Sequence, residues 1–444
     1  MDLPGVTRTG RRREPGRSPV RVAPVVALAV QRPREQLGAA GVHGRQPAQS
    51  GRARSRRYRR PPNVGGMDLR HHGDVDAEPG LLDFAVNVRG DGPPAWLRDR
   101  LVATLDRLGR YPSAADDLAA REAVAARHRR RPDEVLVLSG AAEGFALLPA
   151  LRPRLAAVVH PGFTEPEVAL RTAGIEVHRV LTDEADGHRL RPDAVPAAAD
   201  LVVLGNPTNP TSVLHPAEVV RALARPGRVL VVDEAFADAV PGEPESLASD
   251  GSDGSDGSDG SDAGDSGTPG LLVLRSLTKT WALPGLRAGY ALGEPGLLAR
   301  LGAGRPPWPV GALGLEAVRA CCQPAAVAEA ERAAEVLVAD RRWLVDALGE
   351  VPGVHVQQPA AGPFLLLRVP HGPEVRATLR AAGIAVRRCD TFPGLTADHL
   401  RVAVRPPAVA GALVAALAEA VSAVLPDARP GADYGAGVGQ GARS

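Results

Sequence analysis

Between residues 134 and 275 the chain repeats one pattern: short runs that are apolar at nearly every position, with stretches of helical spacing between several of them. Glu134-Val-Leu-Val-Leu138, Ala156-Ala-Val-Val159, Leu201-Val-Val-Leu204, Arg228-Val-Leu-Val-Val-Asp233 and Leu271-Leu-Val-Leu-Arg275 read as strands. Residues 118–130, 144–151 and 216–224 read as helices. Strands without polar alternation are covered on both faces, so the pattern predicts an α/β fold around a mainly parallel sheet. After about residue 325 the texture changes. A long helix over 326–348, strands near 364–369 and 400–404, and a helix over 409–424 predict a smaller α+β domain.

The ends of the chain break the pattern. Residues 1–66 are rich in Arg, Pro and Gly with little periodicity, which predicts a disordered basic extension. The apolar run 23–30 faintly resembles a signal peptide but is too short to span a membrane, and Met67 is a plausible true start. Residues 67–110 are expected to pack with the small domain. A large domain is expected over 111–320, the small domain over 321–425, and a disordered tail over 426–444. Within the large domain, Gly251 opens four Gly-Ser-Asp repeats, and the loop over 251–268 is expected to be a solvated, disordered linker rather than a Ca²⁺ site.

With 44% hydrophobic and 23% charged residues in 444, the composition is that of a soluble globular protein. The net charge of +2 is uneven, because the acids before residue 60 are only Asp2, Glu14 and Glu35. The remainder is mildly acidic, which argues against nucleic acid as the partner of the folded part. Cys321, Cys322 and Cys389 have neither disulfide nor zinc spacing, so no metal is expected and a reducing cytoplasm fits.

One count changes the picture. Lys and Arg together number 53, yet the only lysine is Lys279. GC-rich coding can replace lysine by arginine wherever charge alone matters. A Schiff base needs a primary amine able to lose its proton, which a guanidinium cannot supply.

Four segments occur in order around that lysine: Ser139-Gly-Ala-Ala-Glu143, Asn206-Pro-Thr-Asn-Pro-Thr211, Val232-Asp-Glu-Ala-Phe236 and Arg275-Ser-Leu-Thr-Lys-Thr-Trp-Ala-Leu-Pro-Gly-Leu-Arg287. Together they resemble the class I/II aminotransferases, fold type I enzymes of pyridoxal 5'-phosphate (PLP), over residues 70–405. The resemblance implies a PLP-dependent enzyme with Lys279 as catalytic residue. It implies that Asp233 pairs with the pyridinium N–H, keeping the ring an electron sink. Asn209 matches the donor to the ring oxygen, and Phe163 the aromatic stacked on the ring. Ala141, Ala142 and Glu143 match the start of a helix whose backbone N–H groups approach the phosphate, with Ser276 and Arg287 completing the cup. Tyr111 matches a tyrosine that reaches the phosphate of a neighbouring subunit, which implies a two-fold homodimer with shared sites. Asn87 and Arg401 match substrate-binding positions, Arg401 as the carboxylate clamp, and Arg387 or Arg388 lies near a position that meets a distal phosphate. Outside this context Phe163 reads as core and Asp233 as a strand-end cap.

Within the family, Arg70-His-His-Gly-Asp74, Asp83-Phe-Ala-Val-Asn87 and Cys389-Asp-Thr-Phe-Pro-Gly-Leu395 look most like threonine-phosphate decarboxylase of cobalamin biosynthesis. The alternative is transamination of the histidinol-phosphate kind. A PLP-binding regulator is a remote third, since residues 1–66 lack two amphipathic helices around a turn. Two positions depart from the family pattern near the expected substrate. Asn87 is followed by Val-Arg-Gly instead of Asn-Pro, and Ser212 stands where Asn-Pro-Thr is usually followed by glycine.

Overall fold

The apolar runs become the middle of a sheet. The computed structural model describes residues 68–250 and 268–425; the extension of 1–66, the Gly-Ser-Asp repeat and the tail of 426–444 lie outside the described residues. A two-residue strand, β1 (Leu82–Asp83), comes first. The main sheet holds β2 (Val135–Leu138), β3 (Leu155–His160), β4 (Glu176–Leu181), β5 (Leu201–Gly205), β6 (Val229–Asp233), β7 (Leu271–Ser276) and β8 (Gly289–Gly293). Their order is β2-β8-β7-β6-β5-β3-β4, and only β8 runs against its neighbours. The expected mainly parallel sheet is thus present.

Alternate residues of the same strands feed two cores, one on each face. Val202, Leu204, Leu230, Val232 and Val273 lie in one, and Leu201, Val203, Val231, Leu272 and Leu274 in the other. This double burial is why the runs lack polar alternation. Helix Ala114–His128 starts earlier than its spacing predicts because Ser113 caps it: Ser113 Oγ accepts from Asp116 N at 3.2 Å and Asp116 Oδ2 accepts from Ser113 N at 2.9 Å. The helix after β2 likewise begins at Ala141 and tightens to a 3-10 turn at Leu148–Leu151. Helix Ala217–Arg221 is shorter than expected, beginning just after Pro216.

The chain then forms β9 (His355–Val356), β10 (Phe364–Arg368), β11 (Ile384–Ala385), β12 (Arg387–Arg388) and β13 (His399–Ala403). β11 pairs with β1, and the other four make an antiparallel sheet in the order β12-β13-β10-β9. Helix Pro324–Gly349 joins the two halves, burying Ala326 and Ala330 with the main sheet and Leu337, Leu344 and Leu348 with the small one. The segment before residue 110 is split in the same way. Phe84 enters the small core, while Leu97, on helix Ala95–Thr104, enters the large one. Helix Pro407–Val424 is long and apolar enough to cross a membrane, yet Leu413, Leu417, Ala420 and Val421 are buried in the small core.

Candidate active site

The C-terminal ends of β5, β6 and β7 open onto one cavity of about 520 Å³, closed from other sides by the start of helix Ala141–Leu147, the segment His71–Asn87, and β12 with β13. Such a crevice, outside the carboxyl ends of parallel strands, is where open α/β sheets bind ligands. Lys279 follows β7 and Asp233 ends β6, so sheet order brings together residues far apart in sequence.

Lys279 is half-buried, and burial lowers its ammonium to about 8, helped by the positive charges of Arg401 and Arg287. A neutral amine, the nucleophilic form, is therefore accessible near physiological pH. Asp233 is pushed the other way, up to about 7, by burial of its carboxylate; a hydrogen bond from Ala235 N at 3.1 Å and the more distant Lys279 offset this only in part. Among the described residues Asp233 has no ion pair, so a half-buried carboxylate faces the cavity with one backbone N–H as its partner. A protonated ring nitrogen would give it an ion pair.

The rest of the lining fits the same group. Ala141 and Ala142 open their helix, where backbone N–H groups have no partner within the helix. Gly140 lies beneath Arg287 at φ 81°, and a Cβ there would stand 2.7 Å from the guanidinium. Ser276 Oγ and Thr278 Oγ1 lie 2.8 Å apart at the same end. These groups make an anion cradle of the kind a cofactor phosphate needs. Phe163 lines the opposite side, 5.8 Å from Phe145 and 5.5 Å from the His72 ring. Arg401 Nη1 donates to Asn209 Oδ1 at 2.6 Å, which fixes the amide in the lining with its oxygen turned to the arginine. The residues present therefore fit PLP.

Arg387 and Arg401 sit directly opposite one another on β12 and β13, although like charges so paired destabilise a sheet. Arg401 also donates to Ala85 O at 2.5 Å, and its guanidinium lies 5.4 Å over Phe364. Arg387 lines the cavity, but its terminal N–H groups are occupied: Asp76 Oδ2 at 3.4 Å, Arg388 O at 2.7 Å, His71 O at 2.6 Å and Thr391 Oγ1 at 2.7 Å. Arg388 instead pairs with Asp390. Asn87 is buried in the lining, and its Oδ1 has no hydrogen-bond partner among the described residues.

Two expected residues lie outside the cavity. Glu143 sits behind the cradle rather than in it, because its carboxylate accepts from Ser139 N at 2.5 Å and pairs with Arg305 at 2.9 Å. Tyr111 is 73% exposed and stacks on Trp308 at 4.2 Å between ring centroids, outside this cavity.

Sequence reading missed other wall residues. His72, paired with Glu165 at 2.6 Å, Asp74, and Thr278 all line the cavity. Behind the wall, Asp76 takes His71 at 3.1 Å and Arg376 at 2.7 Å as well as Arg387. The His-His-Gly-Asp segment and the lysine motif signalled this wall, and the first of these stops at Asp74, short of Asp76.

Residues 80–421 match the family described as aminotransferase class I and II. A histidinol-phosphate aminotransferase of Mycobacterium tuberculosis is 54% identical over 350 residues, covering 79% of this chain and 90% of its own. Threonine-phosphate decarboxylase of Salmonella typhimurium is 32% identical, over 78% of this chain and 93% of its own. Among solved structures, histidinol-phosphate aminotransferase from Clostridium acetobutylicum superposes with a TM-score of 0.68 at 20% identity, covering 77% of this chain and 100% of that one. With the cavity's chemistry these likenesses establish that the chain belongs to the class I and II aminotransferases and is a PLP-dependent enzyme.

Proposed function

We propose that the enzyme transaminates a phosphorylated amine of the histidinol-phosphate kind. The 54% identity to a histidinol-phosphate aminotransferase, spanning 90% of that relative, carries this reading over the decarboxylase expected from local motifs. The decarboxylase of cobalamin biosynthesis stays as second reading on one observation. Phe236 packs edge-on against Phe364 at 4.9 Å and offers no hydroxyl to the ring oxygen, where aminotransferases of the family commonly carry tyrosine.

When bound, PLP supplies an electron sink for charge at the substrate α-carbon. Asp233 keeps the ring nitrogen protonated, and the cradle of Ala141, Ala142, Ser276, Thr278 and Arg287 holds the phosphate. Arg401, fixed by Asn209 and Ala85, is the group for a substrate carboxylate, as in the second substrate of a transamination. Lys279, with its amine near neutrality, is placed to take and return the proton at the α-carbon. We further propose a homodimer in which exposed Tyr111 completes the site of a second copy, working in the cytoplasm, where three buried unpaired thiols stay reduced.

The test is a half-reaction. Histidinol phosphate added to the PLP-loaded protein should bleach the cofactor's visible band, and 2-oxoglutarate should restore it. Release of CO₂ from L-threonine phosphate, with no response to histidinol phosphate, would overturn transamination in favour of decarboxylation.

A further inference from the structure

Ser212, standing where the family pattern has glycine, is a non-glycine residue with its backbone in the left-handed region, at φ 66°, and it is fully buried. A serine there carries strain that glycine would not. Strain of this kind persists where surrounding structure imposes it, and it gathers at functional sites. The surroundings are specific. Ser212 N donates to Thr208 O at 2.7 Å, closing the loop that carries Asn209. Its outward groups cross to the other half of the molecule: Ser212 O accepts from Ala361 N at 2.8 Å and Ser212 Oγ accepts from Gly362 N at 2.8 Å. On the far side, Arg341 of helix Pro324–Gly349 donates to Ala361 O at 2.9 Å, so this short segment is gripped from both flanks. Position 362 is tight for a side chain, since a Cβ would meet Ser212 Oγ at 3.1 Å and the Phe364 ring at 3.2 Å.

That segment leads directly into β10, whose first residue is Phe364. The Phe364 ring is completely buried and lies under the Arg401 guanidinium at 5.4 Å, and Leu366 of the same strand is the register partner of Arg401. One loop therefore holds the clamp at two points: Asn209 bonds Arg401 itself, and Ser212 bonds the backbone that places the ring beneath it. The hydroxyl is the part glycine lacks, while the carbonyl bond to Ala361 is open to either residue.

We infer that Ser212 is a positioning residue for the carboxylate clamp, its hydroxyl fixing Gly362 and thereby the Phe364 ring on which Arg401 rests. It touches neither substrate nor cofactor. The inference requires that Arg401 bind a substrate carboxylate, and it is independent of whether the enzyme transaminates or decarboxylates.

The experiment titrates maleate, L-glutamate and L-threonine phosphate, all carboxylates, into the PLP-loaded protein, following cofactor absorbance. Histidinol phosphate, which has none, is the control. Ser212→Gly and Ser212→Ala both remove the hydroxyl, but only glycine relieves the left-handed backbone. Both should weaken the carboxylates about five- to tenfold, the effect of one lost hydrogen bond, and leave any histidinol-phosphate response within about twofold. The thermal midpoints should separate, Ser212→Ala falling below Ser212→Gly. A merely structural serine would move the midpoints alone. Carboxylate affinities unchanged in both variants would overturn the inference while leaving the proposed reaction standing. Failure of the parent to bind any carboxylate would overturn the clamp and the positioning role together, whatever histidinol phosphate does.

Discussion

Asp233 and Glu234 are neighbours at the end of β6, and burial raises both carboxyls, but their partners differ. Glu234 turns into a sealed cluster, where Ser246 Oγ and Leu247 N donate to it at 2.6 Å each and Arg275 pairs with it at 3.1 Å. Arg275 also meets Asp238, and Arg127 reaches Asp238 at 2.8 Å and Glu243 at 2.9 Å. Burial would raise the Asp238 carboxyl, but Arg127 and Arg275 outweigh it and hold it well below its usual range. Asp233 has one backbone hydrogen bond and stays high, at about 7. The sealed cluster answers its charges within the fold. In the cavity Asp233 is answered by a single backbone N–H, the kind of perturbed group that gathers at functional sites.

The largest effect is expected at Lys279. Lys279→Ala should abolish the visible cofactor band in an absorption spectrum and lower turnover by at least about 10⁴-fold, the upper range for a lost acid–base group. Turnover within tenfold of the parent would remove Lys279 from the chemistry. Next comes the sealed cluster. Arg275→Met strands Glu234 without its cation, leaves Asp238 with Arg127 alone, and should cost about 3–5 kcal/mol in urea denaturation, since removing one partner of a buried pair leaves an uncompensated charge. Asp233→Asn should behave oppositely, with no loss of stability in the cofactor-free protein but about 10²–10³-fold lower turnover. Equal destabilisation by the two substitutions would erase the distinction between the regions.

How much of this was legible follows from burial and spacing. β5, β6 and β7 were readable because both faces are covered, and Lys279 stood out as the one lysine in an arginine-rich chain. β8 was not readable: a Cβ at Gly289 would stand 2.6 Å from Arg275 O and 2.9 Å from Ala141 N, so the strand opens with glycine instead of a β-former. β4 is an edge strand whose buried Val177 and Val180 alternate imperfectly with Glu176, His178 and Arg179. At the site, motif membership and side-chain direction came apart. Glu143 belongs to the cradle segment but turns to Arg305, and Arg275 opens the lysine motif but serves the sealed cluster. Asp76 joins nearby His71 to Arg376 and Arg387 some 300 residues away, which no local pattern encodes.

A pH series sharpens the comparison with a smaller effect. The folded Asp233 carboxyl, at about 7 against an ordinary 3.8, holds a proton that the unfolded chain has already lost between those values. Folding therefore takes up a proton there, and the carboxylate's contribution makes stability fall as pH rises through that window, levelling off above about 7. His215, lowered to about 4 by burial, acts the other way over part of the same range, so the parent must be compared with Asp233→Asn. The stability difference between them should grow with pH in the cofactor-free protein and flatten once PLP supplies its protonated nitrogen. A difference independent of pH without cofactor would mean that Asp233 is already compensated.

Tyr111 tests a third situation, a polar aromatic left uncovered by its own protomer. Its ring is 73% exposed and stacked on Trp308, so removal of the hydroxyl costs the fold almost nothing, and Tyr111→Phe should leave the thermal midpoint unchanged. If the hydroxyl meets the cofactor phosphate of a second copy, one hydrogen bond is lost there, and PLP should bind up to about tenfold more weakly in equilibrium dialysis. The deficit should be present where the protein is dimeric and vanish at dilutions that separate the subunits, because only the assembled site contains the contact. Equal PLP affinity for parent and variant in the dimer would place Tyr111 with the surface aromatics, and the cradle around Arg287 would then hold the phosphate within one protomer.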